Sequence, residues 1–193
     1  MTVERRTFDR PNGQVHLVRN RSSRRGARVV GIGIHSTESQ DLHGTRDDLK
    51  SIRNWFNNPI SDASSHIGID GDTGTEVWVP DAEKAWTILD LNPITLNIEF
   101  IGRAAQPKRD WEEAQIKKGA KWAAFWCRKY NFPARRGVVK KINGQAVITT
   151  SGIITHFQLT QAGFGTHTDP GSNFPMRDFL DATQWYKRHG WQN

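Results

Sequence analysis

Near its start a polar, arginine-rich stretch gives way to an apolar run, Val29-Val30-Gly31-Ile32-Gly33-Ile34, which ends at His35. Uninterrupted apolar positions with β-branched residues predict a strand covered on both faces, with a histidine at its exit. Residues 45–57 then carry Leu49, Ile52, Trp55 and Phe56 at helical spacing, with Asp47 and Asp48 near the start, where acidic groups suit the helix dipole. Residues 65–70, 75–80 and 94–101 read as strands, the first two joined by a turn at 71–74. Asp110 is the expected cap of a long helix over 111–130, whose Trp111, Ala114, Trp122, Phe125 and Trp126 form a buried stripe. Two short alternating runs within 138–148 flank Asn143-Gly144, a strong hairpin signal. Another strand is expected over 152–159, with His156 in its middle. A turn-rich stretch at 166–175 and a final amphipathic helix over 176–189, stopped by Gly190, complete the pattern.

Alternating strands and helices predict an α/β fold, a single domain with a central mixed β-sheet flanked by α-helices. Its 193 residues suit one domain. We read residues 28–193 as that domain and residues 1–27 as an N-terminal arm, with one short strand or turn at 15–18 and no chemistry of its own.

Composition narrows the function classes. Hydrophobic residues make up 36% and charged residues 24%, near the globular norm, but eight tryptophans exceed the needs of a core this size, so some are expected to line a binding surface. A formal charge of +7 attracts polyanions without choosing among nucleic acid, acidic lipid and anionic wall polymers. The densest basic clusters, Arg5-Arg6, residues 19–28, Arg135-Arg136 and Lys140-Lys141, lack the interleaved aromatics of a strand-stacking platform. A solvated basic face is the better reading, and no nucleic-acid partner is expected. The single cysteine, Cys127, forbids an internal disulfide and sits among helical aromatics as a core residue. Residues 1–20 hold no apolar signal core, and no run approaches the about 20 residues of a membrane span. The chain is therefore expected to be made without a secretory signal, to insert in no membrane and to act as a monomer.

Three remote segments present metal-compatible side chains: His35 at a strand end, His156, and His167 or Asp169 in the following loop. Catalytic zinc sites commonly take three protein ligands and leave the fourth position to water. Two imidazoles with one carboxylate satisfy that preference for nitrogen and oxygen. No compact HExxH or paired CxxC reinforces the pattern.

These same residues resemble those of the zinc-dependent N-acetylmuramoyl-L-alanine amidase family, shared by phage endolysins, autolysins and peptidoglycan recognition proteins. Three ordered blocks carry the resemblance over about residues 29–174. Ile32-Gly33-Ile34-His35-Ser36-Thr37 matches the first; Asn92 with Leu96-Asn97-Ile98-Glu99-Phe100-Ile101-Gly102 matches the second. His156, His167-Thr168-Asp169-Pro170-Gly171 and Phe174-Pro175 match the third. The resemblance implies one Zn2+ held by His35, His156 and Asp169, with Asp169 rather than His167 as third ligand because it precedes Pro-Gly.

It further implies that Glu99 is the acid–base catalyst and that His167, where relatives often carry lysine, steadies the oxyanion. Ser65, His66, Trp86 and Asn92 are implied substrate contacts, with two departures: serine replaces an aromatic before His66, and Thr87 replaces a histidine after Trp86. Residues 135–151 exceed the short link of compact relatives and read as an inserted hairpin. The implied substrate is bacterial peptidoglycan, cut between N-acetylmuramic acid and L-alanine. The implied setting is a phage endolysin held in the host cytoplasm before lysis. Two other readings stay open here: a non-catalytic peptidoglycan-binding module of the same fold, and a basic nucleic-acid-binding protein.

Overall fold

The computed structural model describes residues 6–39, 41 and 48–192. Arg5 and the expected helical start at residues 45–47, Asp47 included, lie outside the described residues. Ten strands and four α-helices follow one another in the described chain. They are β1 (Gln14–Val15), β2 (Arg21–Ser23), β3 (Gly31–Ser36), α1 (Asp48–Asn57), β4 (Ile67–Asp70), β5 (Gly74–Val77) and β6 (Glu83–Ala85). After these come β7 (Thr95–Phe100), α2 (Glu113–Lys129), β8 (Val138–Ile142), β9 (Gln145–Thr150), β10 (Gly152–Thr155), α3 (His156–Gln161) and α4 (Met176–His189).

Six strands form the central sheet in the order β1-β5-β4-β7-β3-β10. The pairs β4–β7, β7–β3 and β3–β10 are parallel and β4–β5 is antiparallel, so the sheet is mixed as expected. Period-two alternation sorts its central strands. Ile32 and Ile34 of β3, Ile67 and Ile69 of β4, and Leu96, Ile98 and Phe100 of β7 pack with α2 and Phe179 of α4 in the main core. Asn97 and Glu99, alternating with these, face the other side, as the strand pattern predicts. That second side is covered by α1 and Trp78 around Phe56 and Ile101, and by Ile88, Leu91, Ile154 and Leu159 near the β8–β9 hairpin.

Three boundaries differ from the sequence reading. Asp110 ends a 3₁₀ turn (Lys108–Asp110), and α2 starts at Glu113 with Glu112 at its N-cap. Residues 152–159 are not one strand: β10 stops at Thr155 and His156 opens α3. The Gln158 side-chain oxygen accepts from Thr155 N at 3.0 Å, half of a capping-box arrangement that starts a helix where Ile153, Ile154, Phe157 and Leu159 suggest sheet. Third, the N-terminal segment is built into the domain. β1 pairs with β5 at the sheet edge, β2 pairs antiparallel with β6, and Val18 and Arg24 are buried. The hairpin at Asn143-Gly144 forms as expected, both residues at positive φ (51° and 80°), the conformation a tight two-residue turn demands. Cys127 is fully buried, and desolvation pushes its thiol up to about 12.

Gly119 in α2 supplies a test of the packing between α2 and the sheet. A Cβ there would intrude on the Phe100 ring and come within 3.2 Å of Phe179. In an exposed helix Gly→Ala stabilises by about 1 kcal/mol. Here overpacking, costing about 1–3 kcal/mol, outweighs that gain. Gly119→Ala is expected to lower the midpoint of urea denaturation; a raised midpoint would show that the interface is looser than described.

Candidate metal centre

The C-terminal ends of β3 and β7 set the site. These strands pair in parallel with His35 opposite Glu99, so neighbouring strands about 4.8 Å apart deliver an imidazole and a carboxylate to one edge. His35 is 2% exposed, and its Nε2 lies 3.2 Å from Asn97 Oδ1, an acceptor from the adjacent strand. An Nε2–H donated to that oxygen leaves the Nδ1 lone pair free, the arrangement by which outer groups orient a ligating histidine. Gly33 makes the contact feasible, since a Cβ at that position would collide with Asn97 Oδ1 and lie 2.8 Å from His35 Nε2.

β10 and α3 bring the second imidazole, and the loop before α4 brings the carboxylate. Asp169 Oδ2 is 3.0 Å from His35 Nδ1, and Asp169 Oδ1 is 3.4 Å from His156 Nδ1. One ligand atom from each of His35, His156 and Asp169 lies within 4.8 Å of the others, and all three residues are buried. The loop is tied to the helix by Phe157 N, which donates to Asp169 O at 3.0 Å. Zinc–ligand bonds of about 2.0–2.2 Å in a tetrahedron separate ligand atoms by about 3.3–3.6 Å. The 3.4 Å separation falls in that range and the 3.0 Å one a few tenths below it, and two nitrogens with one oxygen, backed by Asn97, are a donor set suited to a divalent cation such as zinc.

Electrostatics prepares the same donors. Burial alone would raise the Asp169 carboxyl, but hydrogen bonds and charge from His156 and His35 prevail and hold it below the usual carboxylate range. Burial lowers His156, against the pull of Asp169, which favours the neutral ligating form. Glu99 behaves oppositely: burial first, then the charges of Asp169 and Glu38, pushes its carboxyl well above the ordinary range. Two carboxylates in one cleft are thereby driven apart, the pattern that separates an ionised ligand from a proton-carrying group.

His167 stacks on His156, ring centroids 4.0 Å apart and planes within 9°. Its Nδ1 is 3.5 Å from Asp169 Oδ1, yet its side chain remains 62% exposed at the mouth of the cleft. The cleft, of about 220 Å³, is lined by His35, His156, Asp169, Glu99, His167 and Trp86 among others. Trp86 is held in its wall by three contacts: its Nε1 donates to Ser22 Oγ at 3.0 Å, its N donates to Ser64 Oγ at 2.9 Å, and the following Thr87 hydroxyl donates to Ser64 O at 2.5 Å. Segment 20–24, expected to carry no chemistry, thus positions a cleft wall.

Three expected contacts lie elsewhere. Ser65 and His66 have no exposed surface and do not line the cleft. His66 Nδ1 accepts from Asn97 N at 3.0 Å; its Nε2 lies 3.1 Å from Glu83 O and 2.7 Å from Arg24 Nη2. Arg24 in turn donates to the carbonyls of Asp81, Asn92 and Pro93 at 2.9, 3.2 and 2.7 Å. Burial, reinforced by the Arg24 charge, holds His66 well below the usual imidazole range. His66 therefore braces β7 from beneath. Asn92 Oδ1 accepts from Thr87 N and Ile88 N at 2.9 and 2.7 Å, which shapes the turn after Trp86. Ser64, Ser36, Thr37, Glu38 and Phe56 line the cleft and were given no site role from the sequence, although Ser36 and Thr37 fall in the first matched block and Phe56 on the apolar stripe of the first helix.

No curated protein matches the chain in sequence. Among solved structures, the Staphylococcus aureus hydrolase AmiA, in complex with its ligand, aligns at TM-score 0.63 and 18% identity, over 93% of this chain and 86% of that one. A selenomethionine derivative of AmpD aligns at 0.61 and 15% identity, over 91% and 96%. The Clostridium intestinale endolysin LysCS, an N-acetylmuramoyl-L-alanine amidase, aligns at 0.58 and 14% identity, over 91% and 97%. At these identities the likeness is one of fold. The N-acetylmuramoyl-L-alanine amidase family model, by contrast, matches residues 25–172, a span that includes His35, Glu99, His156, His167 and Asp169. With most of its length and every residue of the buried centre inside that match, the chain belongs to the N-acetylmuramoyl-L-alanine amidase family.

Proposed function

We propose that this protein is a zinc-dependent hydrolase of peptidoglycan, cutting the amide between the lactyl carbonyl of N-acetylmuramic acid and the L-alanine of the stem peptide. One observation carries the reading: His35, His156 and Asp169 converge, buried, within 4.8 Å in a chain of the amidase family. A non-catalytic module of the same fold would have no use for that complete donor set. Zinc held there supplies Lewis acidity, polarising a carbonyl oxygen and making water acidic enough to lose a proton near neutral pH.

The chain's own groups supply the rest. Glu99, on the strand beside His35, takes the proton from the attacking water and delivers it to the departing alanine nitrogen. His167, exposed at the mouth and stacked on His156, donates an N–H to the developing oxyanion. Trp86, fixed by Ser22 and Ser64, forms a wall against which the substrate rests. Overall, amide and water become a lactyl carboxylate on the glycan and a free alanine amine on the peptide. Because two of the similar structures are named endolysins, we place the activity in phage-driven lysis of the cell wall. The net charge of +7 suits a substrate surrounded by anionic polymers.

Zinc added to chelator-treated protein is expected to raise the melting temperature, by the equivalent of about 2.7 kcal/mol at a hundredfold excess over Kd. Asp169→Ala is expected to lose both that shift and the release of alanine amines from purified peptidoglycan. Equal zinc content and activity in the two proteins would remove the metal assignment. Glu99→Gln is expected to keep zinc and lose about 10²–10⁴ in turnover, read by the same amine assay against metal analysis. For His167→Ala a loss of about 10²–10³ in kcat is expected, with zinc retained. His167→Lys should recover most of that loss, and failure to do so would argue against an oxyanion role.

A further inference from the structure

A second cavity lies apart from the catalytic cleft. It measures about 470 Å³, against about 220 Å³ for the cleft, and the two share no lining residue. It opens between the segment leading into β1, the start of β5 and one face of α2. In the sheet order β5 stands three strands from β3, about 14 Å from the strand bearing His35. A volume in the range of small-ligand sites, set apart from the metal centre, calls for an occupant of its own.

The lining defines its chemistry. Lys118 and Lys121 form one wall, the edge of the buried Trp122 closes its floor, and Asn12, Gln14 and Thr75 also line it; no carboxylate lines the space. Each ammonium is held in place by backbone oxygen and keeps a donor to spare. Lys118 Nζ donates to Asp70 O at 3.0 Å and Gly71 O at 2.5 Å, leaving one N–H, and Lys121 Nζ donates to Gln192 O at 2.7 Å, leaving two. The Arg10 guanidinium lies 5.2 Å over the Trp122 ring and adds a third cation at the rim. Positioned cations, side-chain amides and a hydroxyl together suit an anionic, amide-bearing sugar.

The proposed reaction makes such a sugar. Each amide cleaved leaves a neutral muramoyl unit as N-acetylmuramic acid with a free lactyl carboxylate. Resting on the amidase reading for the identity of the sugar, we propose that this cavity is a second glycan subsite that takes N-acetylmuramic acid from already stripped strands. It would hold the enzyme by its product while the cleft meets the next stem peptide. Neutral N-acetylglucosamine, which lacks the lactyl acid, offers the ammonium pair acceptors but no charge.

The test is a titration of the full chain with N-acetylmuramic acid, N-acetylglucosamine and glycerol phosphate, followed by the ¹⁵N indole resonances of Trp122, in this cavity, and Trp86, in the cleft. N-acetylmuramic acid is expected to shift Trp122 and to bind more tightly than the other two. Lys121→Gln should weaken that binding about fivefold, the effect of losing one partly exposed ion pair. Because Lys121 also ties down Gln192, Asn12→Asp provides a second variant, which sets a negative charge, like that of the acid, into the lining at an exposed position and should weaken the acid but not N-acetylglucosamine. Asp169→Ala should leave the Trp122 response intact, so loss of amidase activity and loss of this subsite are read separately. A response confined to Trp86, equal affinity for N-acetylglucosamine, or tighter binding of glycerol phosphate would each overturn the proposal.

Discussion

Parallel pairing of β3 with β7, Ile34 against Ile98 and His35 against Glu99, is the constraint on which the rest of the molecule turns. Side chains alternate across a strand, so this register sends every isoleucine and leucine of the pair into the α2–α4 core and His35, Asn97 and Glu99 to the opposite face. A slip of one residue in either strand would bury His35 or Glu99 among aromatic rings and expose the core side chains. Hydrophobic burial of the α2–α4 side therefore fixes the position of the polar side. His35, Asn97 and Glu99 need no device of their own to be brought together.

Asp169 is the costly member of this arrangement. An ionised carboxylate in a buried place has to recover its lost hydration from neighbours, and here two imidazoles face its two oxygens. That is a favourable place for a divalent cation and an unfavourable one for a second ionised carboxylate. Glu99 accordingly stands with its carboxyl pushed upward, first by burial and then by Asp169. One charge distribution thus drives the two carboxyls in opposite directions.

The second tier of contacts explains why residues with no access to the cleft belong to its construction. Arg24, from a segment that looked like an arm, donates to three backbone carbonyls and packs against the buried His66, which accepts from the amide of Asn97, the residue whose side chain meets His35. Buried contacts thereby run from the residue after β2 to His35. Ser22 and Ser64 similarly fix Trp86. Arg24, Ser64, His66 and Asn97 are buried, so breaking their bonds imposes a desolvation cost, which keeps the walls of the cleft in one arrangement.

Short-range patterns were legible in the chain before any coordinates. The apolar run into His35, the alternation around Glu99, the Asn143-Gly144 hairpin and the Gly190 stop depend on neighbours within a few residues, and all four appear where expected. The blocks around His35, Glu99, His156 and Asp169 were likewise legible by their resemblance to a family. Where two local signals competed, pattern misled: Ile153, Phe157 and Leu159 share one strand parity, but the Thr155–Gln158 bond starts α3 at His156. Helix and strand placements of His156 both satisfy the sequence; only packing against β3 and the Asp169 loop selects one. Substrate-facing roles for Ser65, His66 and Asn92 could not be judged from the chain, because exposure depends on what other segments cover, and here Arg24 and the turn at Thr87 do the covering. Residue types and local period set which groups were available for chemistry, whereas burial and convergence, properties of segments more than a hundred residues apart such as His35 and Asp169, were decided by the tertiary fold.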